Sequence, residues 1–183
     1  MGIAGVGGLG SNCAAALIRA GVGNVVIADF DHVSLSNLNR QFYFFDQVGM
    51  AKVEALRDNL VKINPHVVVS AYQQPVTPEN MASFFGLCDV VVEAFDKAEE
   101  KVWFIEEMFR QLPNIPLVAA SGLAGYGNLE MLRVVRQGNL IVCGDHDREV
   151  TNDMPPLAPR VGIVAYMEAD AVLEILLKDV VKT

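Results

Sequence analysis

Gly5-Val6-Gly7-Gly8-Leu9-Gly10 satisfies G-x-G-x-x-G, with an additional glycine at position 8. Glycines at these positions permit a tight turn and let backbone amides approach a phosphate with no Cβ in the way. The N-terminus of the helix that follows adds partial positive charge. Alone the pattern is weak; its context strengthens it. A short apolar stretch, Met1 to Ala4, leads into it, and a helical pattern from Ser11 to Arg19 leads out. Asp29 closes the next apolar run, 19 residues after Gly10. An acid at about that spacing binds ribose hydroxyls. Gly7, Gly8, Gly10 and Asp29 are therefore candidate nucleotide-binding residues, serving NAD and ATP equally.

Outward from this loop, short apolar runs alternate with amphipathic stretches. Val25–Ala28, Val67–Val69, Val90–Val92 and Leu117–Ala120 are continuous runs of the kind found in strands buried on both faces. Between them lie helical patterns at Lys52–Lys62, stopped by Asn64-Pro65, at Glu79–Phe85 and at Ala98–Leu112. Strands alternating with helices predict an α/β fold: a Rossmann-like, doubly wound, mainly parallel sheet. Leu129–Val135 and Leu140–Val142 predict a hairpin that adds antiparallel strands at one edge. A polar, proline-rich loop is expected over 144–160, and a last helix over Val161–Leu177. The 183 residues make one domain, 1–183, with a first strand that reads as truncated.

Hydrophobic residues are 52% of the chain and charged residues 20%, enough apolar side chain for a sizeable core. The net charge of −8 argues against duplex nucleic acid and anionic membranes, both of which select a basic footprint. No apolar run approaches the ~20 residues that span a bilayer. The odd count of three cysteines fits a reducing, cytoplasmic setting.

The segment after the second strand is unusual for a dinucleotide site. Asp31 to Phe42 spends an acid, amides and a guanidinium where the nucleotide would lie, and an aromatic run Phe42–Phe45 follows. Arg40 suits phosphate because its planar fork grips two oxygens; Lys52 opens the next helix as a point charge. Each could instead be a solvated surface cation.

Gly5–Gly10, Asp29-Phe30-Asp31, Ser36-Asn37-Leu38-Asn39-Arg40-Gln41 and Val48-Gly49-Met50-Ala51-Lys52 together resemble the ubiquitin-activating-enzyme-like adenylyltransferases, the ThiF/MoeB/HesA group. The resemblance covers nearly the whole chain, and the Ser-Asn-Leu-x-Arg-Gln segment is its most specific part. It implies a homodimeric Rossmann-like enzyme using ATP and Mg²⁺. The implied reaction is attack by the C-terminal glycine carboxylate of a ubiquitin-like sulfur-carrier protein, ending in Gly-Gly, on the α-phosphate of ATP. It places Gly8, Asp29, Asn37, Arg40, Gln41 and Lys52 around ATP, and makes Asp96 the Mg²⁺ ligand. Arg40, Lys52 and Asp96 become the candidate catalytic set. Where larger members carry Asp, Asn and Arg around that acid, this chain has Glu93, Lys97 and Lys101. The compact ending Pro156–Gly162 resembles the thiamine-pathway branch, so a ThiS-like carrier of thiazole synthesis is the expected substrate.

The larger members hold zinc through two Cys-x-x-Cys pairs. Cys13, Cys88 and Cys143 are dispersed here, so no zinc is expected. Cys143 could take part in sulfur transfer, or be a small buried apolar residue. His146, between Asp145 and Asp147, reads as solvated, and Trp103, Phe104 and Phe109 as one buried helix face. An NAD-dependent oxidoreductase shares the glycine loop and Asp29 but leaves Arg40, Lys52 and Asp96 unexplained. Other rivals are a non-catalytic partner subunit and adenylyltransferases acting on a molybdopterin carrier or on tRNA.

Overall fold

In the computed structural model, which describes residues 1–147, 151 and 153–178, seven strands form one sheet. The elements run β1 (Gly2–Ala4), α1 (Gly8–Arg19), β2 (Asn24–Ala28), α2 (Lys52–Ile63), β3 (Val68–Tyr72), α3 (Met81–Phe85), β4 (Val91–Glu93), α4 (Ala98–Gln111), β5 (Leu117–Ser121), β6 (Arg133–Gln137), β7 (Leu140–Gly144) and α5 (Ala158–Leu177). The strand order is β3-β2-β1-β4-β5-β7-β6. The direction of winding reverses between β1 and β4, the place where α/β sheets bind ligands.

Alternation along each strand feeds two cores. Ile3, Ile27, Val90, Val92 and Val118 join α1, α2 and α5 on one face. Ala4, Ala28, Val91 and Leu117 join Phe84, Phe85, Phe104 and Met108 of α3 and α4 on the other. Both faces are covered, as parallel sheets require.

The predicted α/β class holds, with four adjustments. The first strand is three residues long yet central, pairing with β2 and β4. β3 is an edge strand, and Val68 is 58% exposed, so this run is not buried on both faces. β7 runs parallel to β5, and only β6 is antiparallel. The expected antiparallel hairpin thus forms at one edge, β6 against β7, with β7 joining it to β5 in parallel. Finally, α5 begins at Ala158, because Pro159 is favourable in a first turn, where its missing N–H costs nothing. The predicted 144–160 loop is shorter for that reason. Its residues 148–150 and 152 lie outside the described residues.

Candidate active site

The loops after β1, β2 and β4 open on one cleft of about 630 Å³ at the C-terminal ends of these strands. Gly5, Gly7, Gly8, Asp29, Arg40, Gln41, Lys52 and Asp96 all line it. Residues up to 91 apart in sequence thus meet around one volume large enough for a nucleotide.

The glycine loop is braced from below. Asp29 accepts hydrogen bonds from the amides of Val6 (2.8 Å, Oδ2) and Asp31 (2.8 Å, Oδ1). Burial pushes its carboxyl pKa upward, against the two amides and the Lys52 charge that lower it. Tyr43 is buried and its hydroxyl donates to the carbonyl of Val6 (2.7 Å). The aromatic run therefore contributes a structural brace, which sequence reasoning missed; only its position beside Arg40-Gln41 could have signalled it. Gly10 serves packing rather than the cleft. A Cβ there would overlap the carbonyl oxygen of Gly5, so glycine lets α1 approach β1. Asn37 also lies outside the cleft lining: its Oδ1 accepts the Ser34 amide (3.0 Å) and caps the short turn Leu35–Asn37.

The cations differ in how far they are already neutralised. Lys52 is 6% exposed and pairs with Asp31 at 2.7 Å. Lys97 pairs with Glu100 at 2.9 Å, and Lys101 with Glu93 at 3.0 Å. Arg40 holds only neutral acceptors, the Asn39 side-chain oxygen (2.8 Å) and the Ser36 carbonyl (3.3 Å). It is thus the lining cation whose charge no described carboxylate offsets. Gln41 is buried in the lining, and its Oε1 lacks a hydrogen-bond partner among the described residues.

Asp96 is exposed at the cleft and makes no hydrogen bond or ion pair with a described residue. The N-cap of α4 is Lys97 and no side chain caps that helix, so Asp96 is not spent as a cap. No group of three or more His, Cys, Asp or Glu residues among the described ones could hold a metal unaided. One free carboxylate fits Mg²⁺, which keeps waters and takes substrate phosphates as its remaining ligands.

Most other candidates fall outside the cleft. Cys13, Cys88 and Cys143 are buried and unpaired. Burial pushes the Cys143 thiol up to about 12, so it stays protonated and unreactive. Asp145 forms a buried ion pair with Arg160, whose other nitrogen donates to the Gly127 carbonyl (2.7 Å). His146 is not solvated as expected, since its Nε2 is buried. Phe104 is buried, but Phe109 is exposed and Trp103 lines the cleft, so these three do not form one buried face.

Comparison with known proteins gives the family of the chain: the ThiF family profile matches residues 1–183. The chain belongs to the ThiF family. A tRNA threonylcarbamoyladenosine dehydratase of Escherichia coli is 36% identical over 125 residues, 67% of this chain and 46% of that protein. A molybdopterin-synthase adenylyltransferase of Haemophilus influenzae is 30% identical over 192 residues, 96% of this chain and 74% of that one. The chain thus spans about half the length of the first and three quarters of the second. Among solved structures, E. coli tRNA N6-threonylcarbamoyladenosine dehydratase in complex with AMP superposes with a TM-score of 0.87 at 22% identity, covering all of this chain and 87% of that one. Its complex with ATP gives 0.83 at 24% identity, with the same coverage. At these identities the superpositions establish the fold alone. The thiamine branch expected from Pro156–Gly162 is not represented among these relatives.

Proposed function

We propose that this ThiF-family chain binds ATP with Mg²⁺ and adenylates a carboxylate substrate. The observation that carries the reading is the convergence of the glycine loop, Arg40, Lys52 and a free Asp96 carboxylate on one cleft at the switch point of the sheet. A carboxylate is already ionised at neutral pH, so no general base is required. One of its oxygens forms a bond to the α-phosphorus, the bond from that phosphorus to the bridging oxygen breaks, and pyrophosphate leaves. Catalysis is then positioning and charge neutralisation. Arg40 and Lys52 would face the charge that builds on the departing pyrophosphate, and Gln41 and the amides of the glycine loop would seat the phosphates. Asp29 would meet the ribose. Mg²⁺, when bound, draws charge from the phosphate oxygens, and Asp96 would hold it.

Two kinds of acceptor are consistent with the named relatives. One is the C-terminal glycine of a ubiquitin-like carrier, of molybdopterin or thiamine type. The other is a threonylcarbamoyl group on tRNA, which also presents a free carboxylate. The molybdopterin-synthase relative, matched over 96% of this chain, supports the first. The dehydratase relative supports the second, while the net charge of −8 disfavours a polyanion. The reading we favour is a carrier protein, met by a homodimer of this chain.

The test is ATP–pyrophosphate exchange with Gly-Gly-ended carriers and with threonylcarbamoyl-modified tRNA offered separately. Exchange driven by a carrier supports the reading, and exchange driven only by tRNA moves the chain to the dehydratase side. Asp96→Ala should melt normally and lose nearly all exchange. A variant that exchanges at the wild-type rate removes Asp96 from the site.

A further inference from the structure

Glu93 and Lys101, three residues before and five after Asp96, form an ion pair whose carboxylate is buried and whose ammonium is half-buried at the cleft. Glu93 is fully buried at the end of β4, and Lys101, in the first turn of α4, donates to both of its carboxylate oxygens at 3.0 Å. The same carboxylate accepts the amide of Phe95 at 2.7 Å. Sheet pairing ends one residue earlier, where the Ala94 amide reaches the Ala4 carbonyl. Beyond that point the Glu93 carboxylate takes over the backbone, and the first turn of α4 closes through the Lys101 amide to the Lys97 carbonyl (3.1 Å). Residues 94–97 are thus held at one end by the Glu93 carboxylate on the Phe95 amide and at the other by the backbone of the first turn of α4, the two joined by the Glu93–Lys101 ion pair. Asp96 sits within this span and has no hydrogen bond of its own to orient it.

We infer that Glu93 and Lys101 are positioning residues that aim the Asp96 carboxylate at the metal flank of the nucleotide. The inference rests on the proposed MgATP site. Removing Lys101 leaves the buried Glu93 carboxylate unpaired, so the contact is costly to break from that side. That makes the pair a stiff reference for the loop, which a chain of exposed side chains could not supply.

Calorimetry of ATP binding, with Mg²⁺ and with EDTA in its place, reads the effect without any acceptor. The quantity of interest is the gain in affinity that Mg²⁺ brings. Lys101→Met should lose about tenfold of that gain, the scale of one charge-assisted contact, a loss larger than any change in its metal-free affinity. Lys101→Arg should restore it. If Lys101→Met does not fold, Glu93→Gln combined with Lys101→Met leaves no buried charge and should show the same loss. An undiminished Mg²⁺ gain in both variants overturns the inference. So does an equal loss with and without metal, which would make Lys101 a phosphate contact instead. Wild-type protein that binds no ATP would defeat the proposed function itself, a result separate from either.

Discussion

Arg40 shows how the cleft assigns different weights to residues that look alike in sequence. Four cations line it, and three of them already face a carboxylate. Arg40 has only neutral partners, so its charge is the one most available to a triphosphate. Arg40→Ala should weaken MgATP binding by about 1.5–3 kcal/mol, the range for a hydrogen bond to a charged group. Lys52→Ala should do so less, because the wild-type charge is shared with Asp31. Titration calorimetry of the two variants checks the order, and a larger loss at Lys52 would contradict it. The sequence motif named both residues. It could not rank them, since the ranking depends on where Asp31, Glu93 and Glu100 fall in space.

At the scale of elements, the parts that periodicity encodes were legible. Buried runs such as Val90–Val92 and Leu117–Ala120 became central strands, and the α4 pattern ended within a residue of its expected bounds. What was not legible depends on neighbours. Nothing in Leu140–Val142 says that its outer partner is antiparallel and its inner partner parallel. Likewise, Asn37 belongs to the most specific stretch of the motif yet folds into a local cap. The aromatic run divides in the same way: Tyr43 turns inward to brace the glycine loop, while Phe44 and Phe45 turn outward, Phe45 at 77% exposure. On the proposed homodimer, these rings together with Ile163 and Tyr166 on the outer face of α5 supply apolar surface for a partner. Light scattering at micromolar concentration should give twice the monomer mass, and replacing Phe45 and Tyr166 by Ser should lower it. A monomer at that concentration would refute the dimer.

Over the whole molecule, one feature of the core opposes stability. Glu168 of α5 is fully buried, and neither carboxylate oxygen has a hydrogen-bond partner among the described residues. Burial drives its pKa well upward, and Glu93 adds to this; the Lys101 charge lowers it, and the thiols Cys13 and Cys143 also face it. An unfolded glutamate releases its proton near a pH of about 4.3, whereas the native one retains it. Above that pH the folded chain holds more protons than the unfolded chain, so stability falls as pH rises toward the native pKa. Glu168→Met should therefore stabilise the protein at pH 7 by about 1–3 kcal/mol, the cost of an unsatisfied buried polar group. The gain should shrink toward pH 4. Denaturant melts at the two pH values decide this, and an equal gain at both would show that Glu168 is not held protonated.

The central claim is that the cleft is built for a triphosphate with its metal and not for a nicotinamide dinucleotide, although the glycine loop and Asp29 would serve both. Titration of the wild-type chain with MgATP and, separately, with NAD tests this most directly. The account predicts saturable MgATP binding, tighter than any binding of NAD and weakened in Arg40→Ala. NAD bound more tightly than MgATP, with Arg40→Ala indifferent to both, would contradict it.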